Sequence, residues 1–153
     1  MKRTYMLLSI AIAIGIVAGA TILWSYFQTP SIEIHNPRFV ITPKAIAIYM
    51  MIHNHGFGAD CLVGVDIVKP FTAKTEIHKT EIEGGVARMH PVDMICVAGR
   101  SEVELGPGGY HIMVMGNFSS DIKELAAVLH FQRSGDINII VPIEASQRET
   151  HSH

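Results

Sequence analysis

Charge and cysteine are both scarce in this chain, and each shortage narrows what it can be. Only 17% of its 153 residues are Asp, Glu, Lys or Arg, the formal net charge is −2, and no basic run exceeds Lys2-Arg3. That excludes the electrostatic footprint of a nucleic-acid-binding protein. The two cysteines, Cys61 and Cys96, form no C-x-x-C or C-x-x-x-C redox motif. Both lie in apolar, strand-like runs, where a bridge in an exported chain and a pair of ordinary buried thiols fit equally well. Catalytic motifs are missing too: there is no G-x-S-x-G elbow, no H-E-x-x-H pair and no paired-carboxylate motif. Gly106-Pro107-Gly108-Gly109 lacks the Lys-Ser/Thr of a phosphate loop and reads as a turn. The chain is therefore read as a non-enzyme. Helical periodicity is absent beyond the N-terminus, and no internal repeat occurs. This length suits one domain with an appendage.

The appendage is apolar. Met6 to Phe27, MLLSIAIAIGIVAGATILWSYF, carries no charge. Its 22 residues span roughly 33 Å as a helix, against a hydrocarbon core of about 30 Å. Lys2 and Arg3, in a stub of residues 1–5, stay in the cytoplasm and place the remainder outside it. Trp24, Tyr26 and Phe27 supply an interfacial aromatic belt. Ala18-Gly19-Ala20 matches a cleavage site, so a signal removed after Ala20 is the alternative to a retained anchor. The apolar run continues through Thr21-Ile22-Leu23-Trp24, which favours the anchor. Either way, the domain is exported.

Beyond Gln28-Thr29-Pro30, short β-rich runs recur at spacings of about 8–12 residues, the pattern of an all-β sandwich or barrel. The predicted strands begin with Ser31–His35, which ends at Asn36-Pro37, and Ala45–His53. Cys61–Val68, Ala73–Lys79, Val86–Met89, Asp93–Val97 and Ser101–Leu105 follow. Tyr110–Met115, Ala126–Phe131 and Ile137–Ile143 complete the set, with Ser119–Leu125 short and irregular or helical. Residues 31–144 make the domain, and 145–153 a flexible polar tail.

One strand is unusual. In Tyr110-His111-Ile112-Met113-Val114-Met115, alternation puts imidazole and thioether on one face and turns Ile112 and Val114 toward the core. Cα atoms two positions apart on a strand are about 6.6 Å apart, so His111 and Met113 can lean on one small ion. Upstream, His78 and Met89 occupy adjacent strands joined by a Gly-Gly turn. Two imidazoles and two thioethers suit soft Cu(I) better than Mg²⁺, Ca²⁺ or Zn²⁺. On residue types alone, packing by flexible methionines remains an open alternative.

The spacing His78-x(10)-Met89-x(21)-His111-x-Met113 resembles the pattern of the periplasmic copper chaperone family PCuAC. The surrounding text is similar as well: AIYMMIHN and LVGVDI resemble the family's first two core strands, VELGPGGYHIMVMG its loop-strand motif, and LHFQRSGDINIIVPI its closing hairpin. The resemblance covers about Ile32 to Ile143. It implies a cupredoxin-like Greek-key β-sandwich or barrel, here preceded by one transmembrane helix. It also implies one Cu(I) held by His78, Met89, His111 and Met113. Delivery toward the copper centres of cytochrome c oxidase follows, through an oxidase subunit or another assembly chaperone, from the periplasmic side of the inner membrane. The chain departs from the family in places. Members are commonly secreted, whereas an anchor is expected here; Cys61 and Cys96 are no part of the pattern; and His90 is an extra imidazole that alternation turns to the other face.

Other candidates receive plainer readings. Met115 is packing or rim; Met50, Met51 and Met94 are assigned to the core, His130 to structure, and His53 and His55 to a solvated turn around Asn54. In the tail, His151 and His153 offer a weaker contact for Cu(II). A blue-copper electron carrier is the runner-up, but it gathers Cys, His and Met in one short loop, which this chain does not. A metal-free, membrane-tethered interaction module is the third reading.

Overall fold

The structure, a computed structural model, describes residues 2–144. The side chains of Lys2, Arg3, Tyr26 and Phe27, and the whole tail with His151 and His153, lie outside what it describes. Helix α1, Lys2–Phe27, opens the chain. Within it, Tyr5–Ser25 is long and apolar enough to cross a membrane. Ile10, Ile14, Val17, Ile22 and Trp24 are all exposed along it. A helix whose backbone is satisfied internally, with apolar side chains all round, is what a bilayer accepts.

Eleven strands follow: β1 (Ile32–Thr42), β2 (Ala45–Asn54), β3 (Asp60–Lys69), β4 (Ala73–Lys74), β5 (Glu76–Glu83), β6 (Val86–Pro91), β7 (Ile95–Val97), β8 (Ser101–Leu105), β9 (Tyr110–Met115), β10 (Glu124–Phe131) and β11 (Gly135–Pro142). One sheet runs β1-β2-β8-β9-β5-β6, with β2 also pairing β9; the other runs β11-β10-β3-β4, with β7 on β3. This is the expected all-β sandwich behind one apolar helix.

Alternation builds the core between the sheets. Ile46, Ile48, Met50 and Ile52 of β2, Ile112 and Val114 of β9, and Leu125 and Leu129 of β10 are each at most 1% exposed. Burying one such side chain contributes about 1.5–3 kcal/mol. The inner faces therefore hold the sandwich together, and the outer faces are free to carry polar groups.

Three expectations need correction or a decision. Strand β1 does not end at Asn36-Pro37. The β1–β2 register shifts between His35 and Arg38, and Asn36 takes φ 49°. Asn tolerates that left-handed conformation, so a bulge absorbs the irregularity and pairing resumes as far as Thr42. Met51 and Met94 leave the core: Met51 is half-buried, opposite His35, and Met94 is 43% exposed. Cys61 and Cys96 are register partners of β3 and β7 and form a disulfide, with Cys96 exposed and Cys61 half-buried. Of the two readings, the bridge holds.

Candidate metal centre

The register of β5, β6 and β9 positions the predicted residues. His78 stands opposite His111, and Glu76 opposite Met113. Directly opposed residues project from the same side of a sheet, so both imidazoles and Met113 share one face. On the reverse side the same strands carry Ile77 and Ile112, 5% and 0% exposed, into the core. In the β5–β6 hairpin, Thr80 opposes Met89 and His78 opposes Pro91. Met89 is thus a diagonal neighbour of His78 on the outer face, at a separation of about 7–8 Å by sheet geometry. The structure brings all four predicted residues to one outward face of three adjacent strands.

The two rings meet edge to face, with centroids 5.9 Å apart and planes at 87°. His111 is 4% exposed, and the His78 side chain 12%. His111 Nδ1 donates to the Gly109 carbonyl at 3.1 Å, and His78 Nε2 donates to the Glu76 carboxylate at 3.0 Å. In neutral rings these bonds fix the tautomers and leave lone pairs on His111 Nε2 and His78 Nδ1. Both of those nitrogens are buried, and neither has a hydrogen-bond partner. A buried polar atom left so costs about 1–3 kcal/mol, and an electron-pair acceptor set between the rings would satisfy both at once. Burial pushes the His111 pKa below its ordinary value; the Gly109 bond opposes the shift, and neighbouring His78 adds to it. His111 is therefore held in the neutral form that ligates a metal.

The rest of the rim is graded in exposure. Tyr49 of β2 lies against His111, ring centroids 6.5 Å apart, under the Arg38 guanidinium. Met113 is half-buried, Met89 is 52% exposed and Met115 62%. The imidazole side is closed and the Met89 side is open. His90 pairs in register with Lys79, on the alternate face, and sits 3.8 Å from Glu81. On the second sheet, His130 bridges Asp136 at 2.7 Å and Asp66 at 3.2 Å. Neither cysteine is free, so the thiolate of a blue-copper centre has no residue to supply it.

One group escapes the reading by spacing. His35, His53 and His55 bring their ligating atoms within 4.8 Å of one another. The β1–β2 register sets His35 diagonal to His53, and His55 follows just past the end of β2; linear spacing shows His53-x-His55 but not His35 beside them.

The sandwich has the fold of PCuAC domains. The copper-bound PCuAC domain from PmoF2 aligns with a TM-score of 0.59 at 21% identity, covering 76% of this chain and 98% of that one. The apo PCuAC domain from PmoF1 gives 0.57 at 20%, covering 76% and 99%. At these identities the likeness establishes the fold. Residues 32–143 match the family described as "Putative lipoprotein LpqE-like", and the chain belongs to this LpqE-like family. No curated protein matches it significantly.

Proposed function

We propose that this protein is a membrane-anchored copper chaperone that binds one Cu(I) through His78, Met89, His111 and Met113 and passes it to an acceptor. The observation that carries this reading is the pair of facing imidazoles, each with one nitrogen hydrogen-bonded and the other buried and unpartnered. Glu76 and the Gly109 carbonyl fix which nitrogen ligates, as outer-shell partners do in metal sites. Thioethers complete a soft donor set suited to Cu(I). A similar solved domain, from PmoF2, is copper-bound, which supports the choice of metal.

Transfer follows from the graded exposure. Neither a neutral imidazole nor a thioether loses a proton on binding, so the ion enters and leaves without proton release. Met89 stands open to solvent, and an acceptor's ligand can displace it first while the less exposed imidazoles still hold the ion. Under the PCuAC resemblance, the acceptor is a copper centre of cytochrome c oxidase or another assembly chaperone. Residues 6–27 act as the anchor and residues 31–144 as the copper domain, on the periplasmic side of the inner membrane. X-ray absorption on the full chain, loaded anaerobically with Cu(I) in detergent, should show mixed nitrogen and sulfur scattering. A shell of nitrogen and oxygen alone contradicts the assignment.

A further inference from the structure

We infer that His35, His53 and His55 form a second metal site, for a borderline divalent ion such as Cu(II) or Zn²⁺, at the opposite end of the same sheet face. It is independent of the Cu(I) reading. Tyr49, which touches His111, lies four residues from His53 along β2, roughly 14 Å at about 3.4 Å per residue.

The three rings are already assembled. His53 and His55 stack at 4.7 Å with planes 12° apart, and His35 meets His53 edge-on at 5.7 Å. Their side chains are 41%, 35% and 50% exposed for His35, His53 and His55, so an ion from solvent reaches them. Two carboxylates sit beside the rings. Glu33 Oε2 lies 2.8 Å from His55 Nε2 and 3.5 Å from His35 Nε2, and Glu102 Oε2 lies 3.4 Å from His53 Nε2.

The backbone beneath is fixed rather than loose. Asn54, fully buried between His53 and His55, donates through Nδ2 to the Gly58 and Ala98 carbonyls at 2.8 and 3.1 Å. Its Oδ1 accepts from the N–H groups of Ser31 and Gly56, both at 3.0 Å. The Asn36 bulge falls directly after His35 and re-aims that part of β1. The site is built at the end of the sheet where the chain leaves helix α1.

The donor chemistry selects the ion. Three imidazoles with flanking carboxylates and no thiolate suit Cu(II) or Zn²⁺, with Cu(II) the stronger by the Irving–Williams order. Metal–nitrogen bonds of about 2.0–2.1 Å put the nitrogens of one tetrahedral ion about 3.3 Å apart. Small side-chain rotations close the gap from 4.8 Å. A bland alternative is a patch of ion pairs with no metal affinity.

The test is a Cu(II) titration followed by electron paramagnetic resonance on the full chain in detergent, with the tail imidazoles removed by His151→Ala and His153→Ala. We expect one equivalent of Cu(II) with nitrogen superhyperfine structure. His35→Gln with His55→Gln should abolish it while leaving Cu(I) uptake unchanged. Glu33→Gln should weaken it by about 10–100-fold. Both glutamine changes leave Asn54 in place, and the circular dichroism spectrum checks the fold. His35→Gln alone, on an exposed strand face, should weaken binding at least tenfold and serves if the double variant misfolds. No Cu(II) binding in the parent, or the same stoichiometry and spectrum in the glutamine variants, overturns the site.

Discussion

His111 and His130 are both strand histidines, yet their surroundings move them in opposite directions. Burial lowers His111, and the hydrogen bond that His130 donates to Asp136, with Asp66 behind it, raises His130. For His111 the folded pKa lies below the unfolded value near 6.5, so its contribution to stability is present above about pH 6.5 and lost as pH falls toward the folded pKa. His130 runs the other way: its contribution is present below about pH 6.5 and lost as pH rises through the folded pKa. Nuclear magnetic resonance titration of the metal-free chain should therefore find His111 below and His130 above an ordinary imidazole. His130→Gln should remove the alkaline limb of the stability profile, and an unchanged limb would contradict the ion-pair reading. At this scale the sequence was partly legible. Period-2 alternation correctly turns Ile112 and Val114 inward and His111 and Met113 outward. Burial on the second face is not written in a single strand, which is why Met51 looks like core and is not; Met94 falls just before β7, outside the strand.

Among the elements, β3 and β7 are the pair whose relation is least local. Their disulfide closes a loop of 35 residues. Loop-closure entropy in the unfolded chain makes such a bond worth about 3–4 kcal/mol. Cys61→Ser with Cys96→Ser should lower the urea midpoint accordingly, with the slope of the transition altered because the unfolded chain expands further. An unchanged midpoint would show that the β3–β7 pairing stands without the bond. The knot at the end of β2 makes a second element-scale prediction. Asn54→Ala leaves several buried backbone groups unpaired and should cost at least about 2 kcal/mol, read in the same experiment. Strand positions were legible where alternation and turns coincide, as at Gly84-Gly85 and Gly106–Gly109. The continuation of β1 through Asn36-Pro37 was not, because a bulge depends on the partner strand. The same holds for His35: register between β1 and β2 brings it to His53 and His55, from which spacing alone separates it.

For the whole molecule, one apolar helix leads into one sandwich that carries imidazole clusters at two ends of a single outer face. Retention of α1 predicts that intact mass spectrometry of membrane-extracted protein finds the apolar segment attached; a mature chain starting at Thr21 refutes it. The central claim is that the facing pair His78 and His111, with Met89 and Met113, holds copper. The measurement that bears on it most directly is an anaerobic Cu(I) titration of the full chain in detergent against a chromophoric chelator. The parent should take one equivalent, Met89→Leu with Met113→Leu should bind more weakly, and His78→Gln with His111→Gln should take none in competition. Equal uptake by the parent and the His78→Gln, His111→Gln variant would place copper elsewhere and contradict the account.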